Sequence, residues 1–261
     1  MILDEIAAKT RARVQELKAS KPLEEVRAEA KAMDANTGFP FYQALAKSEL
    51  SYICEVKKAS PSKGLIAPDF PYLQIAKEYE SAGASAISCL TEPYYFLGAD
   101  QYLQEIAEQV KIPVLRKDFV VDEYMIYEAK LLGASAVLLI CAILDKETIK
   151  RYIQIAESLG LSALVEAHDE KEIEDAIDAG AKIIGVNNRD LRDFTVDINN
   201  STRYRSMIPK DILFVSESGI KTNADIEVLK NNGTNAVLIG ETLMRSKDKK
   251  AMLESLNGEP L

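Results

Sequence analysis

Apolar residues recur along this chain in two alternating rhythms. Near the start, Ile2, Leu3, Ile6, Thr10, Val14 and Leu17 fall at helical spacing, with Arg, Lys and Glu on the opposite face. Pro22 suits the first turn of a second helix running to about residue 32, and Phe39-Pro-Phe-Tyr-Gln-Ala-Leu45 reads as a short linking helix. From Tyr52 onward, short β-prone runs alternate with amphipathic helical stretches. Ala82-Gly-Ala-Ser-Ala-Ile87, Leu132-Gly-Ala-Ser-Ala-Val137, Ala179-Gly-Ala-Lys-Ile-Ile184 and Asn232-Gly-Thr-Asn-Ala-Val237 repeat one pattern. Each glycine follows a helical stretch and precedes an apolar run, which is a helix C-cap leading into a buried parallel strand. Further strands fit between them at 52–56, 113–115, 162–165 and 212–215, with helices at 73–80, 123–132, 146–159 and 171–179. Eight strand–helix alternations predict an all-parallel sheet closed into a (β/α)8 TIM barrel. Residues 1–261 are then one domain, and 1–48 form an N-terminal helical extension packed on the barrel. The rival is an open doubly wound sheet, whose dinucleotide-binding version lacks the Gly-x-Gly-x-x-Gly turn it needs.

Composition narrows the function classes. With 47% hydrophobic and 28% charged residues, the chain can build a large core. Its formal charge is 32 − 41 = −9, which argues against non-specific nucleic-acid binding. An anionic substrate would need a local cationic pocket. Cys54, Cys89 and Cys141 are odd in number and lie in apolar runs, as core thiols in a reducing compartment do. The single His168 cannot form a histidine cluster and is given no role. The charged, amphipathic start carries no signal-type apolar segment, and no apolar run reaches membrane-spanning length. A soluble cytoplasmic monomer is expected, with no membrane partner.

In a barrel, chemistry gathers where strands end at their C-terminal side. Glu55 and Lys57 close the first strand on one face, and burying two charges costs several kcal/mol per ion unless they pair. Lys117 follows the third strand and Glu166 the fifth. Asn187, Asn188 and Arg189 follow the sixth, Glu217, Ser218 and Gly219 the seventh, and Gly240 the eighth. Each has a plainer reading: a strand-end ion pair, a solvated lysine, a helix N-terminal acid, turn asparagines, an arginine paired with Asp190 or Asp193, a capping glutamate. Those readings weaken when all the groups share one barrel mouth. The glycines at 219 and 240 put backbone N–H groups where an anion can approach, the arrangement of a phosphate site, although two ordinary tight turns would look the same.

Together, Glu55-Val-Lys-Lys-Ala-Ser-Pro-Ser62, Lys117-Asp-Phe119, Leu164-Val-Glu166, Gly185-Val-Asn-Asn-Arg-Asp-Leu191, Ser216-Glu-Ser-Gly-Ile220 and Leu238-Ile-Gly-Glu-Thr-Leu-Met244 resemble indole-3-glycerol-phosphate synthase, along essentially the whole chain. The resemblance implies a substrate, 1-(2-carboxyphenylamino)-1-deoxyribulose 5-phosphate, that closes its ring with loss of CO2 and water. It implies no metal or organic cofactor. Lys117 would meet the charge developing on the ketone oxygen, and Glu166 and Glu217 the positive ring nitrogen. Asn187 and Arg189 would hold the substrate carboxylate. Lys57, positioned by Glu55, would serve the dehydration, for which the acid–base pair stays open. Ser60, Ser218, Gly219, Leu238 and Gly240 would contact the substrate, the last through backbone, since Glu241 adds a negative side chain there. Phe96 and Phe119 would pack on the aromatic ring, or be plain core. A Schiff-base aldolase, the isomerase one step upstream and a catalytically silent barrel are the competing readings. The extension is expected to close part of the mouth and not merely plug the base.

Overall fold

The computed structural model describes residues 2–190 and 194–258, so Leu191 and Asp193 named above lie outside it. Three helices lead in: α1 (Ile2–Ser20), α2 (Leu23–Ala32) and α3 (Pro40–Leu45). Eight strands follow: β1 (Ser51–Val56), β2 (Ala86–Leu90), β3 (Val114–Lys117), β4 (Ala136–Ile140), β5 (Ser162–Ala167), β6 (Ile183–Asn187), β7 (Leu213–Glu217) and β8 (Ala236–Ile239). Every neighbouring pair is parallel, and β8 pairs back onto β1 with Ser51 opposite Ala236, closing the barrel. Between and after the strands run α4 (Tyr72–Ser81), α5 (Asp100–Gln109), α6 (Tyr124–Leu131), α7 (Lys146–Ser158), α8 (Glu170–Asp178), α9 (Asn199–Tyr204), α10 (Asn223–Asn231), α11 (Glu241–Arg245) and α12 (Lys249–Leu256). The four repeated glycines all take positive φ at helix ends, at 92°, 82°, 86° and 80°. β1 ends at Val56 as predicted, whereas β3, β5 and β7 outrun their predicted bounds toward the mouth. β3 ends on Lys117 and β7 on Glu217, because ladder pairing carries the polar residues into the sheet. An antiparallel pair of two-residue strands, Ala59–Ser60 with Gly64–Leu65, was not predicted; it is too short to leave a periodicity.

Side chains pointing into the barrel alternate along each strand. Ile53, Leu115, Leu138, Leu164, Ile183 and Val215 fill the lower layers. The extension closes both ends of this column, not the mouth alone. Phe41 and Leu45 of α3 are fully buried beneath it, and Ser51 Oγ at the start of β1 donates to Ala44 O at 2.9 Å. Leu3 and Ile6 of α1 join the same apolar column at the top. Val14, Val26 and Ala30 instead pack with the outer core between strands and helices. Among the described residues, no helix is long and apolar enough to cross a membrane.

Candidate active site

The C-terminal ends of the strands surround a cavity of about 640 Å³. Every site residue implied by the resemblance lines it: Glu55, Lys57 and Ser60 from β1 and its hairpin, Phe96 after β2, Lys117 and Phe119 at β3, Glu166, Asn187 and Arg189, then Glu217, Ser218 and Gly219, with Leu238 and Gly240. Ile2, Leu3 and Ile6 of α1 line it as well.

The floor is a ring of charge. Lys57 Nζ lies 2.5 Å from Glu55 Oε1. Lys117 Nζ lies 2.7 Å from Glu217 Oε2 and 3.5 Å from Glu166 Oε2. Asn187 Nδ2 donates to Glu166 Oε1 at 3.3 Å. Glu55, Glu166 and Glu217 are all buried, so three carboxyls share two ammonium groups. Burial works against the Lys117 cation, yet Glu217, Glu166 and Glu55 outweigh it and hold its pKa above the ordinary lysine value. Burial likewise opposes the charged forms of Glu55 and Glu166. Lys57 and Lys117 overcome it at Glu55; Lys117, His168 and Asn187 overcome it at Glu166; both titrate below the usual carboxylate value. Glu217 goes the other way, pushed up to about 7 by burial and by Glu166 despite its closer contact with Lys117. Its Oε1 has no hydrogen-bond partner among the described residues. Two carboxyls facing one ammonium titrate as a unit, and the one whose second oxygen has donors beside it, Glu166, ionises first.

Two glycines make room for this ring. A Cβ at Gly185 would collide with Glu217 Oε1 and lie 3.2 Å from Leu164 Cδ1. A Cβ at Gly240 would collide with Glu55 Oε1 and stand 2.8 Å from Lys57 Nζ. Gly240 therefore has a reason beyond the anion approach expected of it: its φ of −113° is open to any residue, but the Glu55–Lys57 pair occupies the space. Ser218 and Gly219 both take positive φ, at 69° and 84°. Glu241 faces Lys63 at 3.6 Å and Arg245 at 3.1 Å, so its charge is answered locally.

Several supporting residues escaped the sequence. Glu92, after β2, is fully buried and accepts the backbone N–H groups of Tyr94, Tyr95 and Phe96 at 2.7–2.9 Å, fixing the loop that carries Phe96. Phe96 and Phe119 face each other with ring centroids 5.8 Å apart. Asp118, beside Lys117, accepts from Thr91 Oγ1 at 2.7 Å and from Arg13 of α1 at 2.8 Å. Arg116, on the other side, is buried with bonds to Asp100 and Glu128, both at 2.7 Å. Asn188 turns away from the cavity, donating to Ser216 Oγ and Ser218 O and accepting from Ser201. Arg189 Nη1 donates to Phe194 O at 3.2 Å. His168, given no role by the sequence, lies in the turn between β5 and α8 with its Nε2 3.4 Å from Glu166 Oε1. An acid followed some residues later by aromatic loop residues, as in Glu92 and Phe96, was the one signal that could have been read.

A family model described as indole-3-glycerol phosphate synthase matches residues 3–256. An indole-3-glycerol phosphate synthase of Ruminiclostridium cellulolyticum is 59% identical to this chain over 99% of each. One of Endomicrobium trichonymphae is 56% identical over 94% of this chain and 95% of its own. Among solved structures, a 3-hexulose-6-phosphate synthase from Salmonella typhimurium superposes with a TM-score of 0.66 at 14% identity. It covers 80% of this chain and 97% of that one, a likeness of fold alone. The chain belongs to the indole-3-glycerol phosphate synthase family, carboxy-lyases of tryptophan biosynthesis.

Proposed function

We propose that the cavity binds 1-(2-carboxyphenylamino)-1-deoxyribulose 5-phosphate and converts it to indole-3-glycerol phosphate, CO2 and water. The observation that carries this reading is Lys117 held as an ammonium between Glu217 and Glu166 on the cavity floor. Attack of the aromatic carbon on the ketone leaves charge on the ketone oxygen, and a fixed ammonium donates to it without reorganisation. The ring nitrogen turns positive in the same step, and the ionised Glu166 faces it. Asn187 and Arg189 hold the carboxylate until it leaves as CO2, while Phe96 and Phe119 flank the ring. Lys57, held by Glu55, supplies a proton when the hydroxyl departs, and Glu217, with its raised pKa, is the carboxyl able to exchange one near neutrality. The turn at Ser218 and Gly219 and the start of α11 at Gly240 take the phosphate, with Ser60 and Leu238 against the substrate chain. No metal or organic cofactor enters the scheme.

The Schiff-base alternative needs Lys117 as a free amine, which carboxylates on two sides oppose. Indole-type fluorescence growing from the carboxyphenylamino substrate tests the reading. Absence of that product from the folded protein, or borohydride trapping of Lys117 by a phosphorylated keto sugar, would replace it.

Residues 1–48 act as part of this unit, because α1 supplies part of the cavity wall. Removing residues 1–45 should raise KM as well as lower stability; a truncated chain that folds with unchanged KM would make the extension a stability element only. We take the enzyme to act in the cytoplasm as a monomer on a phosphorylated small molecule, with no nucleic-acid partner.

A further inference from the structure

Lys117 stands nearer Glu217 than Glu166, by 2.7 Å against 3.5 Å, so the lysine alone would favour ionisation of Glu217. The surroundings of the second oxygen differ in the opposite sense. Glu166 Oε1 faces Asn187 Nδ2 at 3.3 Å and His168 Nε2 at 3.4 Å. Glu217 Oε1 faces no donor among the described residues. His168 is set by its other nitrogen: Nδ1 lies 3.1 Å from Glu172 Oε2 in the first turn of α8, and the same oxygen accepts the His168 backbone N–H at 2.7 Å. Nε2 is buried without a hydrogen bond, aimed at Glu166 across a gap slightly too long for one. Such gaps close when substrate is bound.

We propose that His168 is a positioning residue: braced by Glu172, its imidazolium keeps Glu166 ionised and thereby leaves Glu217 as the protonated member of the pair. Glu166, Glu172 and Glu217 face the ring from β5, α8 and β7, with Lys117 of β3 beyond Glu166. The thiol of Cys141, in the turn after β4, rests on the Glu172 carbonyl at 3.6 Å. Lys117 is the cation among these groups. Burial opposes the imidazolium; Glu172, Glu166 and Glu217 outweigh it, and His168 titrates above the ordinary histidine value. The assignment settles which carboxylate is the base and which the acid, and it rests on the reaction proposed above.

His168 is the single histidine of the chain, so its imidazole resonance is unambiguous. In the full-length wild type its titration midpoint should lie above the ordinary value, and Glu166→Gln and Glu172→Gln should each lower it. In His168→Asn, the acid limb of the pH–rate profile should move up by about one pH unit, so single-turnover product formation on that limb should fall about tenfold, with KM within about threefold. Glu172→Gln, further from the cavity, should move that limb the same way by less. An acid limb unmoved in both folded variants overturns the assignment, and so does a wild-type midpoint at or below the ordinary value. A wild type that forms no indole product removes the proposed reaction instead; the imidazole midpoints then still test the clamp by themselves.

Discussion

The two ends of the barrel are built on the same strands, one pleat repeat apart, and obey opposite rules. On β1 the inward residue changes from Ile53 to Glu55, on β3 from Leu115 to Lys117, on β5 from Leu164 to Glu166, on β7 from Val215 to Glu217. Below that line, apolar layers rest on Phe41 and Leu45 of α3. Above it, buried ions are roofed partly by Leu3 and Ile6 of α1. Burial of apolar area stabilises the lower half, whereas the upper half gives up part of that stability to keep charges out of water. The difference separates folding from chemistry along a single side-chain column.

Lys117→Ala attacks the upper end most directly. Turnover should fall ~10³-fold, with KM changed less than about tenfold, since the ammonium acts chiefly on charge that develops in the transition state. Steady-state kinetics on the folded variant would show it, and near-normal turnover would remove Lys117 from the mechanism. The matching change at the lower end is Phe41→Ala. Emptying that fully buried position should cost about 3–5 kcal/mol in urea unfolding, with kcat per folded molecule nearly unchanged. A large loss of kcat there would mean the ends are not separable.

Glu217→Gln tests whether the mouth carries a stability penalty. The folded pKa of about 7 lies above the ordinary 4.5 of an unfolded chain. The folded state therefore binds the proton more tightly, and wild-type stability declines as pH rises from about 4.5 to about 7. An amide at this position has no proton to lose in that range, so the variant's relative gain should be absent below about pH 4.5 and reach about 3 kcal/mol above about pH 7, while turnover falls. Unfolding curves at about pH 4 and about pH 8 decide it; a variant less stable than wild type at the higher pH would show that the attraction to Lys117 dominates.

The lower end was legible because it rests on periodicity: glycine-capped helices and β-rich runs fix strand count and direction with no tertiary knowledge. The charged ring was legible for the same reason, since strand ends of a barrel converge and Glu55, Lys117, Glu166 and Glu217 all sit at such ends. Its supports were not. Glu92 serves backbone groups, Arg116 and Asp118 lock the flanks of Lys117 through residues remote in sequence, and His168 acts on a carboxylate two positions back along the chain. Apart from Glu166 and His168, whose two-residue spacing is that of Glu55 and Lys57, none of these pairings has a spacing that periodicity reveals. Glu92→Gln should sharpen the point: an amide presents one acceptor oxygen where a carboxylate offered two, so the loop holding Phe96 loosens. KM should rise about fivefold, with kcat reduced less than about twofold; an unchanged KM would make Phe96 plain core.

The smallest effect is expected at the rim, where charge meets water. Glu241 carries a negative side chain beside the proposed phosphate turn, yet Lys63 and Arg245 answer it, and all three side chains are at least 30% exposed. Exposed pairs of this kind contribute about 0–1 kcal/mol to stability, so Glu241→Gln should leave unfolding nearly unchanged. Its consequence should appear in binding. Freed from Glu241, Lys63 and Arg245 turn toward the phosphate, and KM should fall by up to about threefold at ~20 mM salt. At ~0.5 M salt, where the Debye length drops to a few ångströms, the advantage should vanish. A KM that rises several-fold and ignores salt would mean that Glu241 holds the two cations in the geometry the phosphate needs, and that the rim, like the buried ring below it, works by placement and not by net charge.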